Sequence, residues 1–176
     1  MPDITPFLWF DTEAEEAAKF YVSVFPNSKI NKVVRNSEAA PGPTGAVMTV
    51  AFELDGKLYA ALNGGPMFKF NEAVSFVVHC RDQSEVDCYW DALCAQGEGQ
   101  CGWAKDKYGV SWQIVPDVLP ELLTGPKAKD VMAAVMQMKK LDIAALEAAG
   151  TFFATRYGTR TGRFAIPWMA PCERRS

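Results

Sequence analysis

The sequence predicts an α+β fold in which one βα-containing unit is used twice and is followed by helices. Three observations lead to this prediction. The stretch from Ile4 to Ile30 has the pattern of a strand, an amphipathic helix and a turn. A degraded copy of that pattern returns in the second half of the chain. Each half also contains two strand-like runs separated by turn residues, which is typical of a hairpin.

The first unit begins with a short apolar run from Thr5 to Phe10, which suits a strand covered on both faces. Thr12 and Glu15 have the spacing of a capping box, so we expect a helix to start here. Pro26 ends this helix, whose apolar face is formed by Ala14, Ala17, Ala18, Tyr21 and Phe25. We expect three further strands, over residues 29–36, 46–54 and 58–63, and an Asp55-Gly56 turn between the last two.

The second unit is identified through an offset of 69 positions without gaps. At this offset, Phe7, Leu8 and Trp9 fall on Phe76, Val77 and Val78, and Phe20, Tyr21 and Val24 fall on Tyr89, Trp90 and Leu93. Repeats of this kind indicate the same supersecondary unit used again. We therefore expect a strand over residues 73–80, a helix over 84–95, and a hairpin formed by 100–105 and 110–115.

The remainder of the chain is predicted to be helical and then irregular. The domain is expected to span residues 1–150, with modules at about 3–66 and 72–116 and a helical extension over 117–150, whose last helix begins at Asp142. The tail from Thr151 to Ser176 carries five arginines and one acid and has no clean period. We predict a poorly ordered extension, and a basic arm for an anionic partner is the alternative.

Composition excludes several classes of protein. The 176 residues are 49% hydrophobic and 22% charged, which is ordinary for one domain with its own core. No apolar run approaches the ~20 residues that a membrane helix needs. The N-terminus, MPDITPF, has no signal-peptide pattern, so a cytoplasmic location is expected. The net charge of −3 gives no reason to expect nucleic-acid binding, and the absence of C-x-x-C argues against a structural zinc site.

Three stretches resemble a known family: ITPFLWFDTEAEEAAKFY, ALNGGPMFKFNEAVSFVV, and CGWAKDKYGVSWQIVP with the PELL that follows. They are similar to the PhnB-like, or 3-demethylubiquinone-9 3-methyltransferase, branch of the vicinal-oxygen-chelate (glyoxalase/bleomycin-resistance) superfamily. The resemblance covers roughly residues 3–149. It implies two βαβββ modules, each curling a sheet around a cavity, and a homodimer.

The resemblance also implies positions for a divalent metal, because the superfamily places its ligands on the first and last strand of each module. By pattern these positions are near Thr5, Ala61, Val74 and Gln113. None is His or a carboxylate, which are the side chains that such metals prefer. A slip of a residue or two would bring in Asn63 or Glu72. We therefore expect no metal and no cofactor.

Two further motifs have a chemical and a structural interpretation. His79, the only histidine, is a candidate general base. Its alternation with Val77 instead predicts a packed or rim histidine on the face that meets the helices. Residues 97–102 spell G-x-G-x-x-G, but the nucleotide motif needs a strand before it and a helix after it. Here a helix precedes and a hairpin follows, so Gly97 as a helix end is the better explanation.

Strand alternation predicts an aromatic pocket that holds an apolar or aromatic small molecule. The candidate ligand-binding residues are Phe7, Trp9, Tyr59, Asn63, Phe76, Cys101, Trp103 and Gln113. Cys101 is expected beside Trp103 on a strand, where an inert cysteine is the favoured interpretation; the alternative is a reactive thiol whose pKa is lowered by Lys105 on the same strand face. For the pocket as a whole, the alternative is that these side chains simply fill the core.

Three functions remain open from the sequence. The first is a metal-free, dimeric, small-molecule-binding protein. The second is a metal-dependent lyase, isomerase or dioxygenase that uses displaced ligands such as Glu72, Asn63 and Gln113. The third is a structural or regulatory dimer that binds no small molecule. One superfamily hosts many chemistries, so the resemblance does not choose between them.

Overall fold

The computed structural model describes residues 4–39, 42–94 and 99–151. The chain divides into two compact units, one formed by Met1–Ala73 with Tyr108–Val110, and the other by Val74–Lys107 with Ser111–Ser176. The predicted basic tail after Thr151 lies outside the described residues, as does Gly97. No helix in the described part of the chain is both long enough and apolar enough to cross a membrane.

The first unit is a four-stranded sheet with one helix. Its elements are β1 (Phe7–Phe10), α1 (Ala14–Val24), β2 (Lys29–Arg35), β3 (Val47–Leu54) and β4 (Lys57–Asn63). The strand order is β1-β4-β3-β2, with β1 parallel to β4 and the other two pairs antiparallel. The Asp55-Gly56 turn is confirmed, because both residues have a positive φ, 46° and 72°.

The core of the first unit lies between α1 and one face of this sheet. Leu8, Ala61 and Val50 occupy the same position in the register on three neighbouring strands, and all are buried. The predicted helix face is confirmed, since Ala14, Ala17, Ala18 and Tyr21 are buried. Small alanine side chains let the helix approach the sheet closely. Tyr21 stacks on Phe52 with the ring centroids 6.4 Å apart.

The start of α1 differs from the predicted capping box. Neither Thr12 nor Glu15 caps the helix, because the N-cap residue is Glu13 and its side chain makes no capping bond. The backbone N–H of Ala14 instead donates to Asn63 Oδ1, over 2.8 Å. Asn63 Nδ2 donates to the carbonyl of Val47, over 3.0 Å. The cap therefore comes from 49 residues away in the sequence, which local pattern cannot show.

The second unit has a three-stranded sheet, one helix packed on it and three C-terminal helices. Its elements are β5 (Phe76–Cys80), α2 (Gln83–Leu93), β6 (Trp103–Lys105), β7 (Ser111–Pro116), α3 (Leu119–Thr124), α4 (Ala128–Val135) and α5 (Ile143–Gly150). The strand order is β5-β7-β6. The α+β class with two sheets is confirmed. In the described residues the second sheet has one strand fewer than a full βαβββ module.

The repeat is present at the predicted offset of 69, since β1 and β5 begin at Phe7 and Phe76, and α1 and α2 span Ala14–Val24 and Gln83–Leu93. The buried faces correspond at an offset of 68 instead, as in Phe10 with Val78 and Tyr21 with Tyr89. A shift of one residue moves every side chain of a strand to the opposite face of its sheet. The side-chain faces predicted for β5 are therefore reversed.

The C-terminal helices form a small core of their own. Leu119, Val131, Val135, Leu141 and Leu146 are buried together. Asp142 caps α5 as predicted, accepting from the N–H of Ala145 over 2.9 Å. Gln83 at the start of α2 connects α2 to the C-terminal helices, because its Oε1 accepts from Ile143 N and its Nε2 donates to Leu141 O.

We expect Asn63→Ala to destabilise the protein by about 2 kcal/mol, because one helix cap and one further hydrogen bond are lost together. Thr12→Ala should change the free energy of unfolding by no more than about 0.5 kcal/mol. Urea unfolding of both variants and of the unchanged chain measures this difference. Equal losses in the two variants would contradict the assignment of the cap to Asn63.

Cys80 provides a second test, in this case of the core. Burial, with the nearby charges of Glu85, Asp117 and Asp82, raises the pKa of the Cys80 thiol to about 12. The thiol therefore stays protonated in the folded chain, whereas the same thiol in the unfolded chain ionises near pH 8.5. The stability that this group contributes is present below that pH and is lost as the pH rises towards 12.

Native alkylation with iodoacetamide at about pH 8.5 should leave Cys80 unmodified, while the half-buried Cys94 reacts. Mass spectrometry of the digested protein locates the label, and a sample unfolded in urea shows that Cys80 reacts once exposed. Rapid labelling of Cys80 in the folded protein would show that this part of the core opens freely.

Candidate functional site

The sheet of the first unit leaves one face open. Phe7 and Trp9 on β1 lie on this face, next to Ala60 and Leu62 of β4, and their neighbours Leu8 and Phe10 turn towards the helix. Phe7 is 60% exposed, and Leu58 on the same face is 46% exposed. A sheet face with exposed aromatic and aliphatic side chains is a candidate surface for an apolar ligand or partner.

The segment that follows β4 adds aromatic side chains to this surface. Phe68 meets Trp9 edge to face, with ring centroids 4.9 Å apart, and remains 59% exposed. Trp9 Nε1 donates to the carbonyl of Gly65 over 2.9 Å, so the indole is held in one orientation. Only glycine fits at position 64, because the Cβ of any other residue would lie 2.2 Å from the Trp9 ring. We call Phe7, Trp9, Leu58 and Phe68 the open aromatic face.

Two predicted site residues of the first unit lie on the other face. Tyr59 pairs with Phe52 and stacks on it at 5.5 Å, on the helix side of the sheet. Burial raises the pKa of the Tyr59 hydroxyl. Asn63 is also on the helix side, where its amide caps α1. The expectation that Phe7, Trp9, Tyr59 and Asn63 share one face is therefore wrong.

The second sheet separates its predicted residues in the same way. Trp103 and Gln113 are paired in the register and lie on the open face with Val77, which is 46% exposed. Gln113 Nε2 donates to Ser75 Oγ over 2.8 Å. Phe76 packs against Trp112 on the helix side, with centroids 5.4 Å apart. Phe76 and Gln113 therefore do not face a common space, contrary to expectation.

Cys101 lies in a turn before β6 and not on the strand with Trp103. Its φ is +59°, and its N–H donates to the carbonyl of Met138 over 2.8 Å. Its thiol lies 3.7 Å from Met136 Sδ. Cys101 therefore packs towards the C-terminal helices. The glycine motif of residues 97–102 is followed by the strand β6. A nucleotide-binding G-x-G-x-x-G needs a helix at that position.

His79 lies on the open face of the second sheet, in the register position next to Val115. The expectation that His79 faces the helices is therefore wrong. Its position agrees with the other expectation, a histidine at the rim of the sheet. Its Nδ1 is 3.6 Å from Asp117 Oδ1, and both side chains are more than half exposed. Sequence reasoning missed this acid, which follows the end of β7. The separation is too long for a hydrogen bond.

The side chains of the described residues do not fit the divalent metal that the family resemblance implies. No group of three or more His, Cys, Asp or Glu side chains within residues 4–39, 42–94 and 99–151 is placed to hold a metal ion. Ala61 is fully buried against the helix and does not reach the open face. Gln113 reaches it, but offers a single neutral amide oxygen, while its nitrogen donates to Ser75 Oγ. This donor set lacks the carboxylate and imidazole ligands that such a metal needs.

A cavity of about 950 Å³ lies in the first unit, at the N-terminal end of α1. Its walls come from the start of the helix, the connection between β2 and β3, and the end of β4 with Gly64 and Gly65. Of the eight predicted ligand-binding residues, this cavity includes Asn63 alone. The alternation of apolar and polar residues along the strands did not predict this cavity, because most of its wall comes from loops.

Two solved structures resemble the chain over most of their own length. A PhnB protein from Bacillus cereus shares 34% identity with a TM-score of 0.58, covering 65% of this chain and 99% of its own. Protein PA1353 from Pseudomonas aeruginosa shares 16% identity with a TM-score of 0.53, covering 66% and 98%, and at this identity it supports the fold alone. No curated protein matches the chain.

The family comparison covers the first unit and the sheet of the second, and it ends before α3. The model of the 3-demethylubiquinone-9 3-methyltransferase family matches residues 2–115, well over half of the sequence. Both sheets, with the helix packed on each, lie within this range except for Pro116, the last residue of β7. The chain therefore belongs to the 3-demethylubiquinone-9 3-methyltransferase (PhnB-like) family.

Proposed function

We propose that this protein binds an apolar or aromatic small molecule on its open aromatic face, without a metal ion, and acts as a homodimer. The observation that carries the proposal is the exposure of Phe7 and Phe68 around an oriented Trp9. Aromatic side chains that are already ordered lose little entropy when a flat ligand packs on them. The family description suggests a quinone-like ring as one ligand class.

The chemistry of the site favours binding over metal-assisted catalysis. Of the displaced ligands considered from the sequence, Asn63 lies on the helix side of the first sheet, and Gln113 lies on the second sheet, where its Nε2 donates to Ser75 Oγ. Both ends of the Asn63 amide are already bonded within the protein. A metal-dependent lyase, isomerase or dioxygenase has no donor set to support it among the described residues.

The homodimer is supported by the edge of the first sheet. β1 is the terminal strand of that sheet, and its four residues, Phe-Leu-Trp-Phe, include no charge. Natural edge strands normally carry a charge or a proline to prevent association; this strand carries no charge, and its one proline, Pro6, lies just before Phe7 and accepts a hydrogen bond from Ala60 N. Ile4, just before it, is 97% exposed. A second copy of the chain would cover this edge.

Ligand binding should depend on Trp9. We expect a short-chain ubiquinone analogue to bind the unchanged protein, and Trp9→Ala to weaken its affinity about tenfold, because a large apolar contact is lost. Isothermal titration calorimetry measures both constants. Trp90→Ala, a tryptophan of α2, is the matched control and should bind as the unchanged chain does.

The same titration in the presence of EDTA should give the same affinity. Loss of binding with EDTA, or restoration of it by added divalent metal, would contradict the metal-free proposal. Equal affinities of the unchanged chain and Trp9→Ala for the ligand would show that the ligand does not bind on the open aromatic face.

The dimer is tested separately by sedimentation velocity. The unchanged chain should sediment at twice the monomer mass, and Phe7→Lys should shift it to the monomer, because the charge would be buried at the β1 edge. Leu58→Lys introduces the same charge on β4, an inner strand, and should leave the dimer intact. A monomeric unchanged chain at micromolar concentration would refute the proposal.

A further inference from the structure

Three of the seven methionines of the chain lie close together in the sequence, at Met132, Met136 and Met138. Met132 is on α4, and Met136 follows the last residue of that helix, where the Met136 N–H still donates to Met132 O over 3.0 Å. The two side chains are therefore one helical turn apart on the same side of α4. Met132 is 45% exposed and Met136 is 55% exposed, although methionine is ordinarily a core residue. Half of each thioether side chain is thus left outside the core.

Cys101 brings a thiol to the same place. Its Sγ lies 3.7 Å from Met136 Sδ. The turn that carries Cys101 is fixed to the segment after α4 by two backbone hydrogen bonds, from Cys101 N to Met138 O and from Gly102 N to Lys139 O, each over 2.8 Å. The thiol is half-buried, so a small ion can still reach it. The backbone therefore holds a thiol and a thioether side by side in the unliganded protein.

The distance between these two sulfur atoms suits a shared metal ion. With metal–sulfur bonds of about 2.3 Å, the length found for thiolate ligands, a separation of 3.7 Å gives an angle at the metal of roughly 107°. This angle is close to that of a tetrahedral site. Met132, one turn before Met136, carries a third sulfur on a side chain with three rotatable bonds, which is suited to turn towards the same ion.

The kind of donor decides which metal would bind. Thiolate and thioether ligands are soft, and soft ligands select Cu(I), zinc or iron–sulfur clusters. Structural zinc sites take their ligands from Cys, His and carboxylate side chains, and iron–sulfur clusters need several cysteines. Within the described ranges, no group of three or more His, Cys, Asp or Glu side chains could hold a metal ion. One thiol with two thioethers therefore favours Cu(I).

We propose that Cys101, Met132 and Met136 bind one Cu(I) ion. The thiol gives up its proton as the ion binds, so one proton is released for each ion and the affinity falls as the pH is lowered. All three donors belong to the second unit, whereas the residues of the open aromatic face belong to the first. The copper site therefore goes beyond the proposed function, and Cu(I) takes no part in the binding of a small molecule on the open aromatic face.

The test is a competition for Cu(I) between the full chain and bicinchoninate, without oxygen and with ascorbate present, followed by the absorbance of the copper–bicinchoninate complex. We expect the unchanged chain to withdraw one equivalent of Cu(I). Cys101→Ser, Met132→Leu and Met136→Leu should each lower the affinity at least about tenfold, because loss of even an outer partner of a metal costs this much. Leucine keeps the volume of methionine, which protein cores tolerate.

Cys94→Ser and Met67→Leu are the matched controls, because Cys94 is another half-buried free thiol and Met67 is a methionine that is 76% exposed. Both should bind Cu(I) as the unchanged chain does. Equal losses in Cys94→Ser and Cys101→Ser would show that copper attaches to any accessible thiol, and the proposal would fail. Full affinity of Met136→Leu, or displacement of Cu(I) by an equal amount of Zn²⁺, would also overturn it.

The methionine methyl resonances give a readout that needs no variant. In NMR spectra of protein labelled with ¹³C at these methyl groups, Cu(I) should shift Met132 and Met136 and leave Met67 in place. Shifts of Met67 alone, or of no methionine, would contradict the assignment.

Trp9→Ala separates the copper site from the proposed function, and it should bind Cu(I) as the unchanged chain does. Copper bound through Cys101 and Met136, in a protein that binds no ubiquinone analogue, would support the copper site and refute the proposed function. A protein that binds the ubiquinone analogue and withdraws no Cu(I) from bicinchoninate would do the reverse.

Discussion

The parallel pairing of β1 with β4 is the constraint on which the first unit depends. It places Phe10 beside Asn63, so that both strands end at the same edge of the sheet. From there β1 continues into α1, and Asn63 bonds the first N–H of that helix and the carbonyl of Val47. One amide thus connects two strands and a helix. Without it the helix start would have no side-chain cap, since Glu13 supplies none.

The same pairing divides the side chains of the sheet into two environments. Leu8, Phe10 and Ala61 build the core with α1, and Phe7, Trp9 and Leu58 remain on the opposite face. A chain of this size can form a core large enough to bury side chains such as these. Several large apolar side chains exposed on one face are therefore unusual. This exposure is the observation on which the proposed binding of a small molecule and the proposed homodimer both rest.

Sequence reasoning succeeded where one local signal decides an element. Alternating apolar residues located the strands, the Asp55-Gly56 turn joined β3 to β4, and Asp142 marked the start of α5. It failed where the side-chain faces of one segment had to be inferred from those of another. The repeat at an offset of 69 gives the starts of β5 and α2 correctly, but the buried face of β5 is shifted by one residue relative to that of β1. Side-chain faces carried over from β1 therefore place Phe76 on the wrong side of its sheet, away from Gln113.

The error at Asn63 has a different physical origin. Thr12 and Glu15 satisfy a capping box by spacing, yet the helix begins at Ala14 and takes its cap from β4. Local propensity is worth about 1 kcal/mol at such a site, and tertiary packing of β1 and β4 outweighs it. The residue nominated as a ligand group is therefore a structural connector. Its position on the helix side of the sheet, beside Phe10, also places it away from the open face where the predicted ligand groups were expected.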